Sequence, residues 1–340
     1  MTSTNQKRQT TERAVGTVRA VLPRSVKARI AESERQTGHD LIVGDHRLEI
    51  KWIGEGSLGD ARRVISQRSS RPDIVVARRL SPGAREALSK VGIGWVDETG
   101  AAEIAVGSII VSRTGRTPEP GPKAMRWTSS VIAVAEALLC ETKPTVAATA
   151  SATGLSVGSC TQALRFLTNL QLLEAPARRG RESARRVSDP DRLLEAYASA
   201  VERARPPIKL QVGVTWRDPV AGLAETGRKW DRARISWAAT GAAAASVIAP
   251  YLTTVTTTEV YVDSDSIVGL EAAANAVKLQ PIEGGRLTLR PFPTVAVRQL
   301  AEEAGGLRVA PWPRVYVDLR RSGVRGEEAA EHLREVVRAG

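Results

Sequence analysis

Asp40, Glu49 and Lys51 are the residues whose types and spacing match a chemical task. An aspartate followed, one strand later, by Glu-x-Lys is an arrangement with which nucleases hold Mg²⁺. Two carboxylates on adjacent strands ligate the metal. The lysine, two residues on and so on the same strand face, supports the attacking water. Glu32 or Glu34, just upstream, is available as a further carboxylate. A plainer reading fits the same residues. Strand alternation alone turns Leu48 and Ile50 inward and leaves Glu49 and Lys51 outward as a charged face. Glu-x-Lys also arises by chance in most chains of this length. Beyond Asp40 and Glu49 no further clear carboxylate has motif spacing, and Gly54-Glu-Gly56 after Lys51 offers no obvious basic clamp for a scissile phosphate. The expectation is a nuclease-like domain without catalysis, and so no catalytic residue, metal or other cofactor. Asp40, Glu49 and Lys51 are the candidates, with Asp40 and Glu49 as ligands, only if a Mg²⁺-dependent endonuclease operates there. His39 and His46 flank the same hairpin without a geometric partner and read as surface residues.

A second set of residues suits recognition rather than reaction. Ser156, Gly158, Ser159, Thr161, Gln162 and Arg165 fall on the outer side of an expected helix from Ser156 to about Asn169. They are small or polar, with one amide and one guanidinium able to address base edges. Val157, Leu164, Leu167 and Leu170 are expected to form its apolar face. Beyond it, Arg178, Arg179, Arg181, Arg185 and Arg186 put five arginines into nine residues, with Glu182 as the acid among them. A loop this basic beside such a helix is suited to phosphates. The bland alternative is a helical hairpin used for dimerisation, with a solvated arginine loop.

The elements that must hold these residues follow from periodicity and capping. Thr128 to Cys140 opens on hydroxyl residues suited to an N-cap and carries Val131, Val134, Leu138 and Leu139 at helical spacing. Pro144 is placed at the start of a second helix that ends at Gly154. Ser156 caps the third. Leu172-Leu-Glu174 and Val187 read as the strands of a hairpin. Helix, glycine turn, helix and basic hairpin predict a winged helix-turn-helix. Upstream, strands at Asp40–Val43, Arg47–Trp52, Asp73–Ala77 and Gly94–Asp97 alternate with helices at Leu58–Gln67 and Pro82–Val91, which predicts an α/β layer. Downstream, a helix over Ser236–Ile248 with Gly241 in its interior, strands at Glu259–Val262, Arg286–Arg290 and Arg314–Asp318, and a helix over Gly326–Val337 predict a mixed α/β domain. Thr240-Gly241 lacks the Gly-Lys-Ser/Thr ending of a phosphate loop. Asp218, Asp231, Asp263 and Asp265 fit no metal-site spacing.

The fold class expected is α/β and α+β multidomain. It comprises a polar disordered tail (1–12), a restriction-endonuclease-like α/β domain (13–112) and a Pro/Gly-rich linker (113–124). A winged helix-turn-helix (125–204) and a C-terminal mixed α/β domain (208–338) follow. The 340 residues carry a net charge of +12, and the pI is about 10.3; both favour a polyanionic partner. Aromatic residues make up only 4%, which argues against an aromatic platform for single-stranded bases. Cys140 and Cys160 read as small core residues rather than a disulfide or metal pair. With no signal peptide and no long apolar span, the expected location is cytoplasmic and nucleoid-associated, with no membrane partner.

Leu48-Glu-Ile-Lys51, Arg71-Pro-Asp-Ile-Val-Val-Ala77, Leu80-Ser-Pro-Gly-Ala-Arg85 and Gly92-Ile-Gly-Trp-Val-Asp-Glu-Thr-Gly100 resemble the N-terminal part of AbiEi-type transcriptional regulators, the antitoxin-like proteins of type IV toxin–antitoxin systems. Trp237-Ala-Ala-Thr-Gly-Ala-Ala-Ala-Ala245 and Glu259-Val-Tyr-Val-Asp263 are similar to their C-terminal region. The resemblance implies promoter binding without catalysis, and a separate nucleotidyltransferase-type toxin as a partner. The chain departs from the family in placing its winged helix between two other domains rather than at the N-terminus. Three functions therefore stand: a double-stranded-DNA-binding transcriptional regulator acting as a homodimer; a Mg²⁺-dependent nuclease targeted by its winged helix; and a partner-binding antitoxin or scaffold.

Overall fold

A computed structural model describes residues 2–23, 26, 28–30, 39–43, 46–67, 71–107, 109–115, 127–174, 185–204, 207–251 and 255–339. The architecture is mixed α/β, in two compact units, Met1–Pro122 and Lys123–Gly340.

The first unit contains α1 (Thr2–Val21), β1 (Ala28–Ile30), β2 (His39–Val43), β3 (His46–Trp52), α2 (Leu58–Ile65), β4 (Ile74–Ala77), α3 (Pro82–Lys90), β5 (Gly94–Asp97), β6 (Ala102–Val106) and β7 (Ile109–Arg113). The strands form one sheet in sequence order. β3, β4 and β5 run parallel at its centre, and antiparallel pairs flank them. Parallel neighbours buried on both faces read as continuous apolar runs, and β4, Ile-Val-Val-Ala, is buried throughout. Ile74 and Val76 pack with Leu48, Ile50 and Val18 of α1 on one face. Val75 and Ala77 pack with Ala61, Val64, Ala84 and Leu88 of α2 and α3 on the other. Ser57 and Asp60 close a capping box on α2, and Ser81 caps α3 ahead of Pro82. The buried carboxylate of Asp97 accepts from the backbone of Leu80, Thr99 and Ala101 and pairs with Arg85 at 3.0 Å, so its charge is satisfied.

Where a polar tail was expected over 1–12, α1 begins at Thr2. Its second half supplies Ala14, Val15, Val18 and Val21 to the core, and helical hydrogen bonding continues upstream from that anchored stretch. β6 and β7 occupy the end of the expected 13–112 domain, where sequence reasoning placed no element. Arg113 ends β7, and residues 116–124 of the expected linker lie outside the described ones.

The second unit holds α4 (Ser129–Leu139), α5 (Val146–Thr153), α6 (Val157–Asn169), β8 (Leu173–Glu174), β9 (Arg186–Val187), α7 (Pro190–Arg203), β10 (Leu210–Val212), α8 (Pro219–Arg232), β11 (Trp237–Thr240), α9 (Gly241–Ile248), β12 (Thr258–Val262), α10 (Ile267–Ala276), β13 (Leu287–Pro291), α11 (Val295–Gln299), β14 (Glu302–Ala304), β15 (Leu307–Val309), α12 (Trp312–Arg320) and α13 (Gly323–Ala339). β8 and β9 pair alone, while the others form a six-stranded mixed sheet in the order β10-β13-β12-β11-β15-β14. The boundary expected near residues 205–207 does not divide the core. Leu138, Leu164 and Leu194 belong to one apolar cluster with Trp230, Val260 and Leu333.

Three expectations in this unit are corrected. Arg314–Asp318 is the centre of helix α12, not a strand: Pro313 to Leu319 are all buried, so burial erases the 3.6-residue signal and Val-Tyr-Val mimics alternation. Ser236–Ile248 is not one helix but a strand, β11, that turns sharply into α9 at Gly241, whose φ of +60° favours glycine. Pro144 precedes the N-cap of α5, which is Thr145, rather than opening the helix.

Candidate nucleic-acid interface

Three hydroxyl N-caps set the starts of α4, α5 and α6. Thr128 Oγ1 accepts from Val131 N at 3.3 Å, Thr145 Oγ1 from Ala148 N at 3.2 Å, and Ser156 Oγ from Ser159 N at 3.2 Å. Gly154, left-handed at φ +66°, ends α5 and reverses the chain into α6. α6 packs on both α4 and α5. Its buried residues are Cys160, Ala163, Leu164, Phe166 and Leu167, and Phe166 meets Trp127 edge-on at 5.8 Å. Two residues expected on this apolar face lie elsewhere: Val157 is 65% exposed and Leu170 is at the exposed C-terminal end. The packing stripe starts at Cys160, and the first turn of α6 is left uncovered apart from the half-buried Ser159.

The polar residues of α6 divide by exposure. Ser156, Gly158, Gln162 and Arg165 are exposed; Ser159 and Thr161 are half-buried. The serine hydroxyls satisfy each other, Ser156 Oγ to Ser159 Oγ at 3.0 Å. Thr161 Oγ1 donates to Val157 O at 2.8 Å. Gln162 and Arg165 are the longer polar side chains on this strip. From Thr142 to Leu173 the chain holds no carboxylate.

β8 and β9 form a short ladder, Leu173 opposite Val187 and Glu174 opposite Arg186. Arg186 Nε reaches Glu174 Oε2 at 2.6 Å, an exposed pair that the spacing in sequence did not suggest. Arg185 Nε donates to Thr168 Oγ1 at 3.2 Å, tying the return strand to the end of α6. Arg178, Arg179 and Arg181 lie outside the described residues.

Beneath α4 sits a carboxyl group that sequence reasoning passed over. Glu136 is fully buried; Tyr197 of α7 donates to it at 2.7 Å and Thr294, the cap of α11, donates at 2.7 Å. Burial pushes its pKa up, opposed by the nearby Arg314 guanidinium and by these two hydroxyls. One side chain thereby joins α4, α7 and α11. A second network lies behind α7: Arg320 pairs with Glu195 at 2.9 Å, and the Tyr316 hydroxyl lies within hydrogen-bond distance of both Glu195, at 3.0 Å, and Glu331, at 2.9 Å. Cys140 and Cys160 are free thiols, and burial raises that of Cys140. Three of the four aspartates weighed as metal ligands in the second unit have structural partners: Asp218 caps α8, Asp231 accepts from Trp237, and Asp263 pairs with Arg298.

In the first unit the register sets Asp40 directly opposite Glu49, on one sheet face, with Lys51 two residues on. Sequence reasoning did not anticipate the partners of these residues. Lys51 Nζ donates to Gln67 Oε1, and the backbone N–H of Glu49 donates to Asp73 Oδ2 at 2.8 Å. The side chain of Asp40, and all of Glu32 and Glu34, lie outside the described residues. Among the described residues no three His, Cys, Asp or Glu side chains gather within metal-binding reach, and no helix is long and apolar enough to cross a membrane. His46 is exposed.

No family model matches the chain, and no curated protein or solved structure matches it either.

Proposed function

We propose that the chain is a sequence-specific, double-stranded-DNA-binding transcriptional regulator. In this reading α4–α6 form a helix-turn-helix, α6 enters the major groove, and the β8–β9 hairpin is the wing. The observation that carries it is the division of α6. One face is anchored by Cys160, Leu164 and Leu167, while the other presents Gln162 and Arg165 on a strip without carboxylates. The basic hairpin next to it supplies phosphate contacts. One recognition helix reads only a short half-site, so the reading includes a homodimer. The resemblance to AbiEi-type regulators adds a nucleotidyltransferase-type toxin as a candidate partner. Footprinting on the chain's own upstream region, with and without Mg²⁺, tests the reading. Protection without cleavage supports it, and no protection at any upstream site rejects it.

The pairing of Asp40 with Glu49, and Lys51 on the same strand face, favours a second reading, a Mg²⁺-dependent nuclease brought to DNA by α6. Against activity stands the engagement of Lys51 by Gln67, which draws the ammonium toward the end of α2. Metal-dependent cutting in the footprint would raise the nuclease to first place.

A further inference from the structure

We propose that Val157 determines specificity by contacting the 5-methyl group of a thymine in the major groove, an inference that rests on the DNA-binding reading of α6. Val157 is the first residue of the helix and 65% exposed, although β-branched apolar residues ordinarily gain by burial. It stands in one row with Thr161 and Arg165, at i, i+4 and i+8, beside Gly158 and Gln162. In the first turns of α6 the hydroxyl hydrogens of Ser156 and Thr161 are already donated within the helix. The Ser156 hydroxyl caps the helix and meets Ser159, and the Thr161 hydroxyl is bonded to the Val157 carbonyl. The apolar group that the tip of α6 offers a partner is the Val157 isopropyl. At Gly158 a Cβ would meet nothing nearer than Ser156 Oγ at 4.0 Å, so nothing holds a partner off the backbone there. Among the groups that the base pairs present in the major groove, the thymine methyl is the apolar one. An isopropyl group leading a helix into that groove gains by removing both surfaces from water. Gln162, one turn beyond Gly158, is suited to the N6 and N7 positions of adenine. The geometry points to a half-site with a thymine under the helix tip.

The test uses the full-length protein and a duplex selected by it from a random-sequence pool. Each half-site thymine is replaced singly by deoxyuridine, which removes only the methyl group, and affinity is measured at fixed salt. At one position the wild type loses about 3- to 10-fold, the scale of one buried methyl with its contacts. Val157→Ala binds the thymine duplex weaker by a similar factor and no longer distinguishes thymine from uracil there, whereas Val157→Thr, which keeps a methyl, retains part of the discrimination. A selected site without thymine, tolerance of uracil at every position, or undiminished uracil sensitivity in Val157→Ala overturns the assignment while leaving the DNA reading intact. If Val157 instead packs against a second copy, Val157→Ala weakens self-association without DNA and leaves methyl sensitivity unchanged, which also overturns it. Failure to enrich any sequence overturns the DNA reading itself.

Discussion

At the scale of single residues, the polar side chains of α6 differ in whether their hydrogen bonds are already made. Ser156, Ser159 and Thr161 are engaged locally, whereas Gln162 and Arg165 extend from the exposed strip. Gln162→Ala or Arg165→Ala is expected to reduce preference for the selected site by roughly 1–3 kcal/mol while sparing non-specific affinity. Competition binding against an unrelated duplex checks this, and equal losses on both DNAs would show that the two side chains only position the protein. Glu136 makes a different kind of prediction. Burial holds its folded pKa above the ordinary value of 4.5, so its contribution to stability is full at lower pH and declines as pH rises through the folded pKa. In Glu136→Gln the amide keeps the contacts with Tyr197 and Thr294 without a charge. The melting temperature of Glu136→Gln minus that of wild type should rise from about pH 4.5 toward neutrality. A difference that stays flat over this range would mean that Glu136 ionises in the fold as it does in the unfolded chain.

At the scale of elements, the hairpin and the helices make separate demands. Replacing Arg178 and Arg179 by alanine removes two cations from the proposed wing. Specific and non-specific DNA binding should weaken together, and the slope of log affinity against log salt should flatten by roughly 2, at about 0.9 per lost phosphate contact. An unchanged slope removes the wing from the interface. In α8, Gly227 occupies a helix interior, where alanine normally stabilises by about 1 kcal/mol. Here a Cβ would run into the indole of Trp237, which is buried and fixed by its bond to Asp231. Gly227→Ala should therefore destabilise by about 1–3 kcal/mol, as overpacking does, with the sign read from urea or thermal unfolding. A stabilised variant would mean that Trp237 moves freely.

At the scale of the whole molecule, the two units carry different readings of the chain. If Asp40 and Glu49 gathered around a metal, their mutual repulsion would destabilise the metal-free fold and Mg²⁺ would relieve it. The regulator reading expects millimolar Mg²⁺ or Mn²⁺ to leave the melting temperature nearly unchanged and supercoiled plasmid intact. Nicking lost in both Glu49→Ala and Lys51→Ala would reverse that conclusion. In the second unit, the shared core and the bonds from Glu136 to Tyr197 and Thr294 join α4–α7 to the six-stranded sheet. A change in that sheet therefore has a physical route to α4.

Local chemistry was enough to write down much of this molecule. Thr128, Ser156 and Gly154 mark helix ends because capping and left-handed backbone are decided within a few residues. The strands β2, β3 and β5 were legible because alternation and apolar runs survive where a sheet is covered on known sides. The strip of Gln162 and Arg165 followed from the same helical period. Only the tertiary structure decided that Val157 is outside and Arg314–Asp318 is a helix, because both depend on which neighbours cover an element: Val157 at the start of α6 is left exposed, whereas Pro313 to Leu319 of α12 are all buried. The engagement of Lys51 by Gln67 and the links that Glu136 makes between α4, α7 and α11 were equally invisible beforehand. They join residues 16, 61 and 158 positions apart, and no local preference carries information across that distance.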